Sequence, residues 1–419
     1  MSDWFSFLYH RFRERLWIKP AAISGVSLAA IFFAKSADAW GLASVAPEIS
    51  VESVRTLLQV IASSMLVMAI FAVGSMVSAY ASVGSSATPR AFPLIIADDV
   101  SQNALTAFIG AFLFSIVALF ALENGYYDRG GRFALVSLTF IVFGVVILTF
   151  LWWVDRIARL GRLNATIDKV ESATARAMKR RRKSPRLGGA KWAEPDGPSE
   201  AIYGEEIGYV QQVKMAALQS IAEKYELHIH VGALPGTFAT PGRPLAYVRV
   251  SPDQLEDVKR GITAAFVVGR DRVFDQDPRF GLVVLSEIAS RALSPGINDS
   301  GSAIAVIGAL VRLLAFWCEP VDYEQAEGVE FDRVAVPSLK LDDLFDDAFT
   351  MIARDGARAV EVVLRLQKGL ESLAVVCEAE SKQIPLSHAR KSIARAEKAM
   401  ELSDDLEAVK SAGRFANAG

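Results

Sequence analysis

The chain has 419 residues and a formal net charge of −2, and 52% of its residues are hydrophobic. Its mean hydropathy of +0.29 is high for a soluble protein, so part of the chain is predicted to lie in lipid. The near-neutral charge excludes a global field that would attract nucleic acid, and no nucleic-acid partner is predicted.

Four apolar stretches have the length of membrane-spanning helices, since about 20 apolar residues cross a ~30 Å hydrocarbon core. They predict a transmembrane domain of four helices over residues 1–155. Their hydrophobic cores lack Asp, Glu, Arg and His, which argues against an ion-coupled transporter. The four stretches are residues 16–34, 57–82, 104–122 and 133–154.

The second stretch carries a stripe of small residues at mostly three- and four-residue spacing. On a helix this spacing places them on one face, where they are predicted to line a pore in an oligomer. Close packing between helices is the alternative use of the same stripe. The stripe consists of Gly74, Ser75, Ser78 and Ser82.

Basic residues precede the first stretch and follow the fourth, where eleven Lys or Arg lie between Arg156 and Arg186. The positive-inside rule therefore predicts a multi-pass protein with both termini in the cytoplasm. Residues 156–200 are predicted to form an amphipathic basic helix and a linker. Five of the basic residues either contact anionic lipid or form a solvated charge run. They are Lys179, Arg180, Arg181, Arg182 and Lys183.

Residues 201–268 are predicted to form a small β-rich module. Its strands are predicted at residues 207–213, 227–231 and 245–250, with a helix over residues 215–224. The order of elements resembles the barrel-sandwich modules of biotinyl and lipoyl carriers. Lys214 does not lie in a tight hairpin, however, so no attached cofactor is predicted.

From Phe266 onward the sequence reads FVVGRDRVFDQDPRFGLVVLSEIASRALSPGINDSGSA. This stretch resembles the signature of a family of predicted bacterial membrane proteins, domain of unknown function 2254. Similar motifs occur at residues 88–93 (TPRAFP), 107–112 (AFIGAF) and 235–246 (PGTFATPGRPLA). The resemblance implies four spans in the bacterial inner membrane and a cytosolic α+β domain, and it implies no activity.

The motif ALSPGINDSGSA at residues 292–303 has three open interpretations. Pro295 and Gly296 are expected to end one helix, and Asn298 or Asp299 to cap the next. Alternatively, Asn298 and Asp299 join Asp277 and Arg279 in a ligand or ion site, where a helix N-terminus suits an anion. The third interpretation is catalysis. No nucleophile elbow, phosphate loop or metal-binding motif supports it, so neither catalytic nor metal-binding residues are predicted.

Residues 269–419 are predicted to form a helical cytosolic domain. Its helices at residues 359–376 and 386–409 have the periodic apolar positions of a bundle. Cys318 and Cys377 are too few for a disulfide framework, and they predict a reducing compartment in which both behave as small hydrophobic residues.

The sequence leaves two function classes open. The first is an oligomeric channel or pore-like membrane protein with a cytosolic regulatory domain, in which membrane lipid and further copies of the chain are the partners. The second is a membrane-anchored scaffold or sensor whose cytosolic domain binds a partner or small ligand. Enzyme activity is not indicated.

Overall fold

The computed structural model describes residues 18–39, 47, 49–96, 99–157, 163–192, 199–319 and 328–417. The chain divides into two compact units. Unit 1 ends at Ala165 and omits the three residues Ser86–Thr88. Unit 2 contains those three residues and everything from Thr166 onward. The finer division predicted for residues after 155 stays a prediction.

Unit 1 is helical. Long runs of apolar residues form its helices, and Gly125 at φ +65° turns the chain between the last two. The helices are α1 (Ile18–Ala39), α2 (Val51–Ser86), α3 (Phe92–Ile96), α4 (Asp99–Glu123) and α5 (Arg129–Ile157).

Helix α1 packs against α4 and α5 within this unit. A Cβ at Gly110 of α4 would come within 2.7 Å of Ile23 Cγ2, so this glycine lets the two helices approach closely. The Tyr127 hydroxyl donates to the Ile31 carbonyl (3.0 Å), and Arg55 of α2 pairs with Glu123 at the end of α4. Side chains from all four long helices contribute to one buried apolar cluster, among them Ile31, Leu58, Phe114 and Leu135.

Four described helices are long and apolar enough to cross a membrane. Three of them match predicted spans. The first predicted span is covered by α1 from residue 18, and residues 16 and 17 lie outside the described chain; α1 is not among the four. The fourth candidate is a helix of unit 2, in the region that was predicted to be a cytosolic domain. The four are Val51–Ser82, Gln102–Glu123, Arg129–Asp155 and Ser300–Cys318.

Unit 2 contains two β-sheets. The larger has the order β1-β8-β4-β6-β2, in which β8 runs parallel to both of its neighbours, and the smaller has the order β5-β3-β7. The strands are β1 (Gly189–Lys191), β2 (Glu200–Tyr203), β3 (Gly208–Val213), β4 (Ile229–Val231), β5 (Phe238–Ala239), β6 (Pro244–Val248), β7 (Phe266–Gly269) and β8 (Phe331–Val336).

The barrel-sandwich resemblance is not confirmed. The three predicted strands correspond to β3, β4 and β6, and the predicted helix is present, but the larger sheet also takes β8 from residues that sequence analysis assigned to a helical domain. Strand β1 lies inside the predicted linker, whose residues 193–198 are outside the described chain. Two helices, Met215–Lys224 and Pro252–Ala265, connect strands and cover the sheets.

Besides its sheets, unit 2 contains helices, and those that follow β7 pack against one another. The Ser300–Cys318 helix buries Val306, Leu310 and Leu314 against its neighbours, and its exposed Arg312 pairs with Glu171 (2.6 Å). Burial in this core therefore explains its apolar composition. The helices are α6 (Leu163–Lys183), α7 (Met215–Lys224), α8 (Pro252–Ala265), α9 (Pro278–Ala292), α10 (Ser300–Cys318), α11 (Leu341–Asp355), α12 (Val360–Val376), α13 (Gln383–Ala399) and α14 (Ser403–Ala412).

Cys318 and Cys377 form a disulfide, so the prediction that they are independent hydrophobic residues is wrong. Helices α10 and α12 lie against each other, and the two cysteines come at or just after their C-terminal ends. Their Cα atoms are 4.8 Å apart, which is within the range a disulfide needs. A count of cysteines could not reveal this, because the pairing depends on the register between two helices.

Candidate functional site

A cavity of about 470 Å³ opens in unit 2 where three separate stretches of the chain meet. One is the turn after β4, the second surrounds the start of α9, and the third joins β8 to α11. This volume is in the range of small-molecule sites. The lining includes Gly236, Phe238, Arg243, Arg272, Arg279, Ser338, Lys340 and Asp343.

The turn on one side of the cavity is built from Leu234, Pro235, Gly236 and Thr237. The Thr237 amide donates to the Leu234 carbonyl (2.9 Å), and Gly236 has φ +91°, which is the geometry of a type II turn with proline second and glycine third. A Cβ at Gly236 would overlap the Asp277 carboxylate and lie 2.9 Å from Arg272 Nη2. The glycine therefore lets the turn approach this ion pair directly.

Asp277 is the buried anion beneath the cavity, with only 2% of its side chain exposed. Its Oδ1 accepts the Phe280 amide (3.2 Å) and so caps α9, while its Oδ2 accepts from Arg272 Nε (2.7 Å) and lies 2.7 Å from Arg272 Nη2. Burial raises the pKa of Asp277, and the Arg272 guanidinium and the Phe280 amide act against that rise. Asp277 thus fixes both a helix start and an arginine of the cavity wall.

Arg279 ties the first turn of α9 to α11. Its Nη1 donates to Asp343 Oδ2 (2.8 Å), and its Nε and Nη2 donate to the two carboxylate oxygens of Asp347 (2.6 and 3.2 Å). Burial disfavours the charged guanidinium, but Asp347 and Asp343 raise the pKa of Arg279 above its ordinary value. The arginine is therefore a fixed positive charge at the cavity.

The cavity wall has an excess of positive charge. Its lining residues contain four cationic side chains, Arg243, Arg272, Arg279 and Lys340, whereas three carboxylates oppose them: Asp343 in the lining, and Asp277 and Asp347, which pair with Arg272 and Arg279. The exposed side chains of Arg243 and Lys340 make no hydrogen bond or ion pair with the residues that the structure describes. A concave surface with this charge distribution attracts anions.

Arg181 is one of the predicted lipid-contacting residues, but it is buried, with 6% of its surface exposed. Its Nη2 donates to the Gln276 carbonyl (3.0 Å), and its Nη1 has no hydrogen-bond partner in the described chain. Burial lowers the pKa of Arg181 to about 10, and the charge of Asp277 opposes this shift. This burial within unit 2 opposes lipid contact by Arg181, which stays a prediction.

The other four basic residues of that run differ in their surroundings. Arg182 lies over the Phe316 ring, 4.5 Å from its centroid, and donates to the Glu319 carbonyl (3.0 Å). Arg180 is exposed and donates to the Asp275 carbonyl (2.5 Å), and Lys179 and Lys183 are exposed. Lipid contact by these residues stays a prediction.

Asn298 and Asp299 form a helix stop and a helix cap. The Asn298 amide donates to the Ser294 carbonyl (2.8 Å), and Asn298 has φ +50°. Asp299 Oδ1 accepts the Ser302 amide (3.0 Å) and Oδ2 accepts the Ser302 hydroxyl (2.5 Å), which together lower the pKa of Asp299. Of the four residues predicted to form a ligand site, Arg279 lines the cavity and Asp277 pairs with the lining Arg272, whereas Asn298 and Asp299 are not among the lining residues.

The stripe predicted to line a pore lies on α2. Gly74, Ser78 and Ser82 are exposed in the single chain, and a Cβ at Gly74 would meet no atom within 4 Å. Ser75 is half-buried, and its hydroxyl donates to the Phe71 carbonyl (2.9 Å). The role of the stripe stays a prediction.

Sequence analysis missed Arg243 and Lys340 as parts of the site, and it did not connect the Pro-Gly turn with Asp277. The turn and the Asp277–Arg279 segment both lie in motifs that carry the family resemblance. This shared membership was the sequence signal that could have connected them. Among the described residues, no group of three or more His, Cys, Asp or Glu side chains could hold a metal ion.

Comparison with known proteins identifies one family. Its model, described as "Predicted membrane protein (DUF2254)", matches residues 13–372. No curated protein and no solved structure matches the chain.

Proposed function

Because this chain belongs to the DUF2254 family of predicted membrane proteins, we propose that it is a membrane-anchored sensor or scaffold whose unit 2 binds a small ligand. The observation that carries this proposal is the cationic cavity, at which three distant stretches of the chain converge. Two of its arginines are held in place by carboxylates before any ligand arrives, and such preorganisation favours binding.

A substitution that fills the cavity tests this function. A deproteinised small-molecule extract of the bacterial cells is expected to raise the melting temperature of the purified full-length protein, because a ligand bound only to the folded state stabilises it. Ser338→Trp places a large ring at the exposed edge of the cavity, so it should remove this rise. Ser372→Trp, at an exposed position of α12 outside the lining, is the matched control. Equal shifts in both variants would contradict ligand binding in the cavity.

We propose a pore in a homo-oligomer as the second candidate function. The exposed small residues of α2 support it, since Gly74, Ser78 and Ser82 are available to another copy of the chain or to a water-filled conduit. Conductance in planar bilayers tests it. Ser78→Phe should alter the conductance, whereas Val77→Phe, one position away on a different face of α2, should not. A monomer or dimer that shows no conductance would contradict the proposal of a pore.

We also propose that α1 is a fourth span beside α2, α4 and α5, and that both termini and unit 2 lie in the cytoplasm of a bacterial inner membrane. The packing of α1 in the core of unit 1 supports its role as a span. The eleven basic residues after the last span support the orientation. The Cys318–Cys377 disulfide is the opposing observation, since disulfides persist mainly in oxidising compartments.

A further inference from the structure

We propose that the cavity binds a phosphate monoester, with the phosphate on Arg243, Arg279 and Lys340 and the ester group against Phe238. This inference rests on the proposed ligand-binding function and adds the chemical class of the ligand. The same phosphate group occurs in soluble metabolites and in the headgroup of phosphatidic acid, and the experiment below separates these sources.

Several guanidinium N–H groups of the lining arginines remain available after these arginines have paired with carboxylates. An arginine has five N–H donors. Arg272 uses two of them on Asp277, and Arg279 uses three on Asp343 and Asp347. Three donors on Arg272 and two on Arg279 are therefore left for a ligand, while both planes are fixed by the carboxylates. Fixed guanidinium groups suit the oxygens of phosphate.

Charge also favours a dianion. Arg272 and Arg279 are paired with Asp277, Asp343 and Asp347, whereas Arg243 and Lys340 line the cavity without an ion-pair partner in the described chain. A neutral ligand would leave these two exposed cations uncompensated, and a monoanion would neutralise only one of them. A phosphate monoester carries a charge of about −1.5 to −2 at pH 7, so it can pair with both.

Part of the cavity wall is apolar. Phe238 is 44% exposed although it is aromatic, and it lies edge-on to Tyr209 with ring centroids 5.1 Å apart. Leu234, Pro235, Pro337 and Leu339 also line the cavity. An inorganic anion would not use this surface, whereas the organic group of a monoester would cover it.

The probe is phenyl phosphate, titrated calorimetrically into the full-length protein in detergent micelles, with benzyl alcohol as the uncharged analogue. Phenyl phosphate is expected to bind and benzyl alcohol to show no binding. Arg243→Gln and Lys340→Gln should each lower the affinity for phenyl phosphate by about tenfold, since each removes a charged hydrogen bond. Both residues are exposed, so the variants should fold. Arg260→Gln, which removes an exposed charge of α8 outside the cavity, is the control.

Unchanged affinity in the Arg243→Gln/Lys340→Gln double variant would overturn the proposal. If phenyl phosphate does not bind but Ser338→Trp still removes the stabilisation by cell extract, the ligand-binding function stands and the phosphate class is wrong. If neither effect is seen, the ligand-binding function itself fails.

The source of the phosphate is tested in nanodiscs of phosphatidylcholine with and without phosphatidic acid. A lipid headgroup in the cavity would compete with phenyl phosphate. Phosphatidic acid should therefore lower the affinity of the native protein for phenyl phosphate and have no such effect in the double variant. A soluble ligand predicts the same affinity in both membranes. If phosphatidic acid lowers the affinity for phenyl phosphate equally in the native protein and the double variant, it acts outside the cavity. That result would contradict a headgroup bound in the cavity.

Discussion

At the scale of single residues, two aspartates with the same local role have different surroundings. Asp277 and Asp299 each cap a helix through a backbone amide three residues ahead. The exposed carboxylate of Asp299 accepts from Ser302 in its own helix turn, whereas Asp277 is buried beside Arg272 and close enough to Arg181 and Arg279 for their charges to interact. The capping role was predictable for Asp299 from the sequence. The buried charges around Asp277 were not, because Arg181 is almost a hundred residues away.

Replacing each of these aspartates by alanine should separate capping from charge compensation. Asp299→Ala is expected to lower the free energy of unfolding by about 1 kcal/mol, which is the usual loss of a cap. Asp277→Ala should lower it by about 3–5 kcal/mol, since it also leaves buried guanidinium groups without their counter-charge. A urea titration followed by circular dichroism in detergent measures both. Equal losses would show that the buried ion pair adds nothing beyond the cap.

Gly236 offers a second residue-scale prediction. Gly236→Ala forces a side chain into φ +91° and against the Asp277 carboxylate, so it should cost about 1–3 kcal/mol. Gly242→Ala in the same stretch meets no atom within 4 Å and has no positive φ, so it should leave the melting temperature unchanged. Thermal unfolding of the two variants provides the comparison, and a similar loss in both would mean that the close approach at Gly236 is unimportant.

At the scale of elements, apolar periodicity predicted most helices, while short strands and contacts between distant elements were less accessible. The strand β8 lies at residues 331–336, between acidic stretches that favoured the prediction of exposed helices. It is a strand because it pairs in parallel with β1 and β4. The cavity depends on this strand, since residues 337–340 directly after it form one wall. The location of the cavity could therefore not be predicted from local sequence patterns.

The disulfide is a further link between elements. Closing a loop of 59 residues between α10 and α12 restricts the unfolded chain, so Cys318→Ser/Cys377→Ser should lower the free energy of unfolding by roughly 2–5 kcal/mol under oxidising conditions. A thiol reductant should lower the stability of the native protein to that of the double variant, and should not change the double variant. Urea titrations with and without reductant measure this. If the reductant has no effect on the native protein, the disulfide contributes no stability.

At the scale of the whole molecule, length and apolarity predicted four spans, three of which match candidate spans of the structure, but they did not separate a span from a buried core helix. Helix α10 meets the same criteria as α2, α4 and α5, yet its inner side is buried in unit 2 and its exposed Arg312 pairs with Glu171. Helix α1, in contrast, packs into the core of unit 1 beside α2, α4 and α5. Packing partners, which a sequence pattern does not contain, are what distinguish the two helices.

The orientation in the membrane is where two physical arguments oppose each other. The basic residues between Arg156 and Arg186 favour a cytoplasmic unit 2, because the K/R bias close to span ends sets topology. We therefore expect a C-terminal green fluorescent protein fusion to fluoresce and a C-terminal alkaline phosphatase fusion to be inactive, since the phosphatase needs an oxidising compartment to form its own disulfides. In that orientation Cys318 and Cys377 would meet a reducing environment and should be alkylated by maleimide in denatured lysates. An active phosphatase fusion with unreactive cysteines would reverse the topology and place the cationic cavity outside the cytoplasm, where only extracellular or periplasmic phosphates could reach it.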